Sequence, residues 1–301
     1  MPLSDTQLLN WKFSVLGSNP QWNQTGEFVQ SISDRPYSSP LGLSIDSNDT
    51  IYIFGHTDRN VEAWFKGAIN GTKVTDTNHA DYLIFDKNGY FYVNEHIDHT
   101  VRRYSTNSII GTVVAGVTGT SSSALNNFNY PLGIDIDDNL NLYVADRDNK
   151  RVMKWAPNAT AGTLLINTTA SNLSTIRISA LRLVKNSPNQ VYLGDTTYGR
   201  VYLWSFDSTN PDLILNQVRN STVLSSPRSL ILDPDGNLYV GENGGKGRII
   251  RYCPNSTIGE IMIDDSNGNS AMRKVGIAFD SQQNLYALLG NGKVIKYALL
   301  W

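Results

Sequence analysis

Residues 131–155 contain the stretch that decides the fold: PLGIDID at 131–137, LYVAD at 142–146 and RVMKW at 151–155. Three short runs of β-branched and aromatic residues are separated by turns rich in Asp and Asn, a pattern typical of antiparallel strands joined by tight hairpins. A fourth run, GTLLI at 162–166, follows directly. The stretch therefore predicts one unit of four antiparallel strands, named a to d below.

The same unit occurs six times along the chain. Aligned on a tyrosine in strand b, the copies are separated by 40, 51, 49, 47 and 47 residues, and a period of this length is typical of β-propellers. The aligned tyrosines are Tyr52, Tyr92, Tyr143, Tyr192, Tyr239 and Tyr286. An Asp lies six residues before the tyrosine in every copy except the fourth, where Lys185 and Pro188 occupy a shifted turn.

These repeats predict an all-β fold, a six-bladed β-propeller with four antiparallel strands per blade, formed as one domain by residues 1–301. The last copy stops soon after its third strand, so blade six lacks a fourth strand. Residues 11–17 (WKFSVLG) have the composition of that missing strand. We predict that an N-terminal strand at about residues 8–17 completes the last blade and closes the ring, with an insertion or loop at about 18–36.

Composition excludes several classes of protein. The 301 residues carry a formal net charge of -2, which argues against DNA binding and makes RNA an unfavoured partner. No apolar stretch is long enough to span a membrane. The single cysteine, Cys253, excludes an internal disulfide and a site built from several cysteines.

The sequence carries two kinds of signal that bear on cellular location. The opening MPLSDTQLLN has no basic segment followed by an apolar one, so no signal peptide is visible in this chain. Eight Asn-x-Ser/Thr sequons nevertheless favour a glycoprotein of the extracellular space or secretory lumen, which we expect to be a monomer. The sequons lie at Asn23, Asn48, Asn70, Asn158, Asn167, Asn172, Asn220 and Asn255.

Two copies carry a resemblance to a known family. The segments Pro131–Trp155 and Pro227–Tyr252, with LYVAD, NKRV and DGNLYVGE, resemble NHL repeats. The linker at 111–131 is similar to the linkers of tandem NHL arrays in invertebrate proteins. The resemblance covers about residues 40–301 and implies a six-bladed propeller. It leaves function open, because the family includes protein-binding and RNA-binding propellers, and the related amidating lyase uses the same frame for chemistry.

The loops that enter strand a and the b–c turns share one face of a propeller, named the top face below. We predict a polar ligand site of mixed charge where the central channel opens on this face. Its candidate residues are His56, Glu95, His96, Arg147 and Asn243.

An acidic residue ends strand b in four blades, and in three of them an arginine opens strand c. Bidentate carboxylate–guanidinium pairs would tie each turn to its own blade. Glu95 is the exception, because Thr100 stands where the arginine would be. The predicted pairs are Asp146 with Arg151, Asp195 with Arg200, and Glu242 with Arg248.

All four histidines lie in blades one and two, and His56, Glu95 and His96 are candidate zinc ligands or a proton-transfer group. In the amidating lyase the zinc histidines are spread around the channel, so the resemblance does not extend to them. We predict no cofactor, with zinc or a calcium ion held by channel carbonyls as alternatives. The favoured function is non-enzymatic binding of a protein or small ligand at the channel mouth. A metal-dependent lyase or hydrolase and a single-stranded RNA-binding protein are the alternatives.

Overall fold

The computed structural model describes residues 21–23, 26–31, 40–55, 59–105, 108–170, 173, 175–185, 187–220, 223–244, 247–264 and 274–300. Within them the only helical element is one 3-10 turn, Thr168–Ala170. No helix in these ranges has the length and apolar character needed to cross a membrane.

The strands follow the repeat. The first two are β1 (Gln21–Trp22) and β2 (Glu27–Ser31). Blade one contains β3 (Pro40–Ile45), β4 (Ile51–Gly55), β5 (Asn60–Trp64) and β6 (Thr72–Asp76). Blade two contains β7 (Ala80–Phe85), β8 (Phe91–Glu95), β9 (Thr100–Tyr104) and β10 (Thr112–Gly116). Blade three contains β11 (Pro131–Ile136), β12 (Leu142–Asp146), β13 (Arg151–Trp155) and β14 (Thr163–Asn167).

The remaining blades are built in the same way. Blade four contains β15 (Ile178–Leu183), β16 (Gln190–Asp195), β17 (Arg200–Ser205) and β18 (Leu213–Leu215). A short strand, β19 (Gln217–Val218), then pairs in parallel with the outer edge of blade five. Blade five contains β20 (Pro227–Leu232), β21 (Leu238–Glu242), β22 (Arg248–Tyr252) and β23 (Ile258–Asp264). The last strands are β24 (Lys274–Phe279), β25 (Leu285–Leu289), β26 (Lys293–Tyr297) and β27 (Leu299–Leu300).

The six blades close into a ring. Within each blade, neighbouring strands pair antiparallel. The first strands of successive blades contact one another all the way around, including β24 of the last blade with β3 of the first. These first strands line the central channel. The predicted six-bladed β-propeller with four antiparallel strands per blade is therefore confirmed.

An N-terminal strand completes the last blade, as predicted. The fourth strand of blade six is β2, at Glu27–Ser31, which pairs antiparallel with β26. This strand lies inside the stretch predicted as a loop at 18–36, and the predicted closing strand at 8–17 lies outside the described residues. No Pro-x-Gly signal marks this strand in the sequence. A second pair, β1 with β27, adds to the closure.

The apolar core lies between blades. Six clusters of buried side chains occur, and each joins one pair of neighbouring blades. The aromatic residue near the end of strand c is buried in all six blades. Burial of such large side chains is the main stabilising contribution to each blade interface. The set comprises Trp64, Tyr104, Trp155, Trp204, Tyr252 and Tyr297.

The repeated Asp and Tyr are hydrogen-bonded to each other at the a–b turns of blades one, two, three and five, an arrangement named the lock below. In blade three, Asp137 Oδ1 accepts the backbone N–H of Asn141 at 2.8 Å, and Oδ2 accepts the Tyr143 hydroxyl at 3.1 Å. The same two contacts occur in blades one, two and five. Burial, reinforced by the nearby carboxylate, raises the pKa of Tyr52 in blade one to about 12. The tyrosine hydroxyls therefore remain donors at neutral pH.

Candidate functional site

Two rings of residues surround the channel at the top face. One ring is the first residue of each b–c turn, where the described members are His96, Arg147, Thr196, Asn243 and Gly290. The other ring is the residue just before strand a, where they are His79, Tyr130, Arg177 and Ser226. His56, predicted as a site residue, lies outside the described residues.

A buried acid–imidazole pair lies at the blade-two side of this opening. The Nδ1 atom of His96 pairs with Oδ2 of Asp81, and both side chains are almost completely shielded from solvent. Asp81 is the second residue of β7, and His96 directly follows β8, so the antiparallel pairing of these two strands brings them together. The other carboxylate oxygen of Asp81 contacts Nη2 of Arg228 at 3.4 Å.

The Tyr130 ring contacts both the His96 ring and the Arg147 guanidinium. The His96 ring lies 4.3 Å from the Tyr130 ring, centroid to centroid, and the guanidinium carbon of Arg147 lies 3.8 Å from the same centroid. Arg147 also forms two hydrogen bonds with Asp148, which fix the guanidinium plane. Burial first, and then the Asp81 carboxylate, raise the pKa of Tyr130, while Arg147 and Arg228 lower it in part. Its phenol is therefore a proton donor at neutral pH.

The backbone of this region is strained at two aromatic positions. His79 and Tyr130 have φ values of 64° and 58°, in the left-handed region that costs a non-glycine residue about 1 to 2 kcal/mol. Tyr130 donates its backbone N–H to Nδ1 of His99 at 3.1 Å, and the His79 ring lies 5.6 Å from that of His96. Strain of this kind is concentrated at ligand sites in proteins.

Tyr82 spans the channel. Its ring projects from β7 of blade two, and its hydroxyl donates a hydrogen bond to the backbone carbonyl of Arg228 in blade five, on the opposite wall. Blades two and five face each other across a six-membered ring, so this bond crosses the full channel diameter. The Arg228–Asp81 contact crosses it as well. The end of the channel above Tyr82, which has His79, Tyr130 and Arg147 around its opening, is named the cup below.

Glu95 does not join this cup. Its Oε2 accepts a hydrogen bond from Nε of Arg102 at 2.7 Å, and its Oε1 accepts the backbone N–H of Asn78 at 3.1 Å. Arg102 was not foreseen as a partner. It lies two residues beyond Thr100 on the same face of β9, so its long side chain reaches back to the carboxylate. Glu95 and His96 are adjacent in sequence but have different partners.

The predicted acid–arginine pairs form in two of three blades. Arg151 Nε lies 2.7 Å from Asp146, and Arg248 donates two hydrogen bonds to Glu242 at 2.6 and 2.8 Å. These two predictions are confirmed.

The third predicted pair is wrong, because Asp195 and Arg200, both described, form no ion pair. Arg200 lies 5.6 Å from the ring of Tyr198, and Asp195 accepts the backbone N–H of Thr197 at 2.9 Å. Burial raises the pKa of Asp195, and only its hydrogen bonds counteract that rise.

Arg147 and Asn243, the other two predicted site residues that the structure describes, both lie on the ring of b–c turn residues. Arg147 lies in the cup with His96. Asn243 is half-buried on the same ring, and its backbone N–H binds the carbonyl of Ser226 at 3.1 Å. Among the described residues no group of three His, Cys, Asp or Glu side chains could hold a metal ion. A zinc site at His56, Glu95 and His96 therefore stays a prediction that depends on a residue outside these ranges.

Comparison with known proteins agrees with this architecture. The family model of the NHL repeat matches residues 128–155, which are strands a to c of blade three with the three residues before them. The chain therefore contains an NHL repeat within a six-bladed β-propeller. The likeness to tandem arrays of invertebrate proteins stays a prediction. No curated protein sequence matches the chain.

Several solved structures share the fold of this propeller. A gluconolactonase from Xanthomonas campestris has a TM-score of 0.70 at 12% identity, covering 95% of this chain and 96% of its own. A streptogramin B lyase has a TM-score of 0.62 at 15% identity, covering 93% and 98%. A catalytically inactive virginiamycin B lyase from Staphylococcus aureus with quinupristin has a TM-score of 0.59 at 12% identity, covering 93% and 100%. At these identities the likeness shows the fold alone.

Two important residues of the cup were missed by the sequence analysis. Tyr82 stands where the other copies have Gly42, Gly133, Ala180, Ser229 and Gly276. A large residue at a position kept small elsewhere was therefore a usable signal. Tyr130 gave no such signal, because it precedes the strand and its stacking partners come from two different turns.

Proposed function

We propose that this NHL-repeat propeller is a non-enzymatic binding protein whose small-molecule or protein ligand binds in the cup at the top face. The observation that carries this proposal is the hydrogen bond of Tyr82 across the channel, which brings Tyr82, Asp81 and Arg228 together around one small cavity. Recesses with few, convergent polar groups are typical of ligand sites. We also propose an extracellular or luminal location, supported by the exposure of the sequon asparagine at all seven described sites.

The donors in the cup support recognition of a ligand that accepts hydrogen bonds. Arg228 is 29% exposed along its side chain and makes one long hydrogen bond, at 3.4 Å, to Asp81. The protonated phenol of Tyr130 adds a second donor. Because both groups are held by packing, little conformational entropy is lost when a ligand binds.

A thermal-shift screen with neutral sugars, small carboxylates and short peptides tests this proposal. Compounds that raise the melting temperature of the wild-type protein should have at least about tenfold weaker affinity for Arg228→Met and Tyr130→Phe. Thr196→Ala, on the same ring but outside the His96–Tyr130–Arg147 stack, is the matched control and should bind normally. Ligands that bind both cup variants with unchanged affinity would place the site elsewhere.

The buried Asp81–His96 pair favours a second candidate, a lyase or hydrolase. A carboxylate that holds one imidazole nitrogen can orient the ring for proton transfer, and the Tyr130 phenol is a nearby acid. The fold neighbours include a gluconolactonase and streptogramin B lyase.

Elemental analysis of the purified protein, followed by assays on gluconolactone and a type B streptogramin with and without divalent metals, tests this second candidate. Turnover lost in His96→Gln and Asp81→Asn would establish it. Absence of both metal and turnover would exclude these two reactions.

A further inference from the structure

The end of the channel opposite the mouth carries two positively charged side chains from blade four. This bottom face carries the a–b turns, and in five blades an Asp precedes the turn. In blade four Val184 and Lys185 stand at this place, so the turn carries a positive charge and lacks the carboxylate of the lock. Arg182, two residues before Val184, lines the channel here and adds a second positive charge.

Arg182 has hydrogen-bonding capacity that the fold does not use. Its side chain is 29% exposed, and its one ionic contact is with Asp135, where Nη1 and Oδ1 are 3.7 Å apart. That distance is too long for a hydrogen bond. Asp135 instead accepts the backbone N–H groups of Ile136 and Leu183 at 2.9 and 2.8 Å. The guanidinium donors of Arg182 thus face the channel without a hydrogen-bonded acceptor among the described residues.

The other charged groups of this end do not neutralise the two cations by direct pairing. Lys185 is exposed and forms no ion pair within the described ranges. Asp280 accepts hydrogen bonds from the backbone and side chain of Asn284 at 2.8 Å, and Lys296 lies 3.7 Å from it. Asp137 is held by its own turn, and Asp138 is exposed to water. Asp135, Asp137 and Asp280 accept hydrogen bonds from nearby groups, whereas within the described ranges the side chains of Arg182 and Lys185 donate none and Arg182 has only its 3.7 Å contact with Asp135.

Space for a ligand is present beside these cations. The lower channel has a volume of about 370 Å³, and a groove of about 590 Å³ runs between the a–b turns of blades three and four. Arg182, Lys185 and Asp135 line both spaces. Tyr82 crosses the channel above them, and a small cavity of about 70 Å³ beside its ring is lined by both Arg182 and Arg228.

We propose that Arg182 and Lys185 form a second ligand site, on the bottom face, for the oxyanion of a phosphorylated or carboxylated small molecule. The guanidinium supplies paired donors in the plane that matches such an oxyanion, and the ammonium adds a second point of attraction. Because the ligand enters from the bottom face, binding there is independent of the cup.

Isothermal titration calorimetry at low ionic strength, with inorganic phosphate in one arm and citrate in the other, tests this site. Binding of either probe supports the proposal, and the stronger one identifies the oxyanion that is preferred. Arg182→Met should weaken binding about tenfold or more, and Lys185→Met should weaken it to a smaller extent. Arg182→Lys should retain part of the affinity, because the charge remains while the planar donor pair is lost.

Arg228→Met is the matched control, because it removes an equally exposed arginine that contacts Asp81 and lines neither the lower channel nor the groove. It should leave phosphate and citrate affinity unchanged while it impairs ligand binding in the cup. An equal loss in Arg228→Met and Arg182→Met would reveal attraction by net charge alone and would overturn the site. Absence of binding of both probes to the wild-type protein would overturn it too. Neither result bears on the cup.

Discussion

Blade three and blade two contain the same four strands but use equivalent positions for different purposes. Blade three has Gly133 facing its neighbour and a buried Asp146–Arg151 pair within its own turn. At the position of Gly133, blade two has Tyr82, which reaches across the channel. Its acid, Glu95, binds an arginine that is 26% exposed. Blade three thus pairs its turn acid with an arginine of the same turn, whereas blade two places Asp81 and Tyr82 in contact with Arg228 across the channel.

This contrast separates stability from function within one repeat. A repeat protein needs most of its units to pack regularly, because each unit buries its apolar face only against its neighbours. A unit that departs from the pattern loses some of that regularity, and the departure persists where it forms a site. Blade two departs from the repeat pattern at the top face, and blade four departs from it at the bottom face.

The largest expected loss of stability should distinguish the acid of blade three, Asp146, from that of blade two, Glu95. Asp146→Ala leaves Arg151 buried without its carboxylate, which should lower the free energy of unfolding by about 3 to 5 kcal/mol. Glu95→Ala should cost less, about 1 to 3 kcal/mol, because water can reach Arg102. Urea unfolding of both variants measures the difference. Equal losses would mean that the two turns are held in the same way.

A smaller effect should come from the position that is small in blade three. In Gly133→Ala the new Cβ would lie 2.5 Å from the backbone nitrogen of Leu181 and 2.7 Å from the carbonyl carbon of Ala180. Blades three and four must therefore move apart, at a cost of about 1 to 3 kcal/mol. Thermal unfolding measures this loss, and an unchanged melting temperature would show that the blade interface can adjust freely.

Removal of the Tyr82 hydroxyl should have a lesser effect. Tyr82→Phe keeps the ring in the channel but leaves the Arg228 carbonyl without this donor, which should cost about 1 kcal/mol. Tyr198→Phe, whose hydroxyl bonds Thr175 at the surface at 2.9 Å, is the control and should change stability by less than about 0.5 kcal/mol. If both variants unfold alike in urea, the bond across the channel does not stabilise the fold.

The smallest effect concerns the residue before strand c. Lys150 in blade three has φ 55°, where other blades have Gly199, Gly247 and Gly292. Lys150→Gly should therefore stabilise the protein by about 0.5 kcal/mol, since relief of strain exceeds the added chain entropy. His99→Gly in blade two should not, because His99 accepts the Tyr130 N–H. Equal gains in the two variants would show that this bond contributes nothing.

The sequence predicted the ring but only part of the site, for a physical reason. Strand positions follow from local alternation and turn residues, so the six copies and the buried strand-c aromatics could be predicted. The contacts of Arg228 with Asp81 and Tyr82 join residues more than 140 positions apart. They exist only because ring closure places blades two and five opposite each other. Glu27–Ser31 was likewise recognised as a strand only through its pairing with β26.

The pairing of β2 with β26 also sets the order of events during synthesis. A ribosome adds roughly 5 to 20 residues per second, so Glu27–Ser31 leaves the exit tunnel on the order of ten seconds or more before Lys293–Tyr297. During that interval the nascent chain keeps one strand without its sheet and one blade interface open to water. Closure of the ring therefore cannot begin before Lys293–Tyr297 has been synthesised, and until then the strand Glu27–Ser31 is open to pairing with other chains.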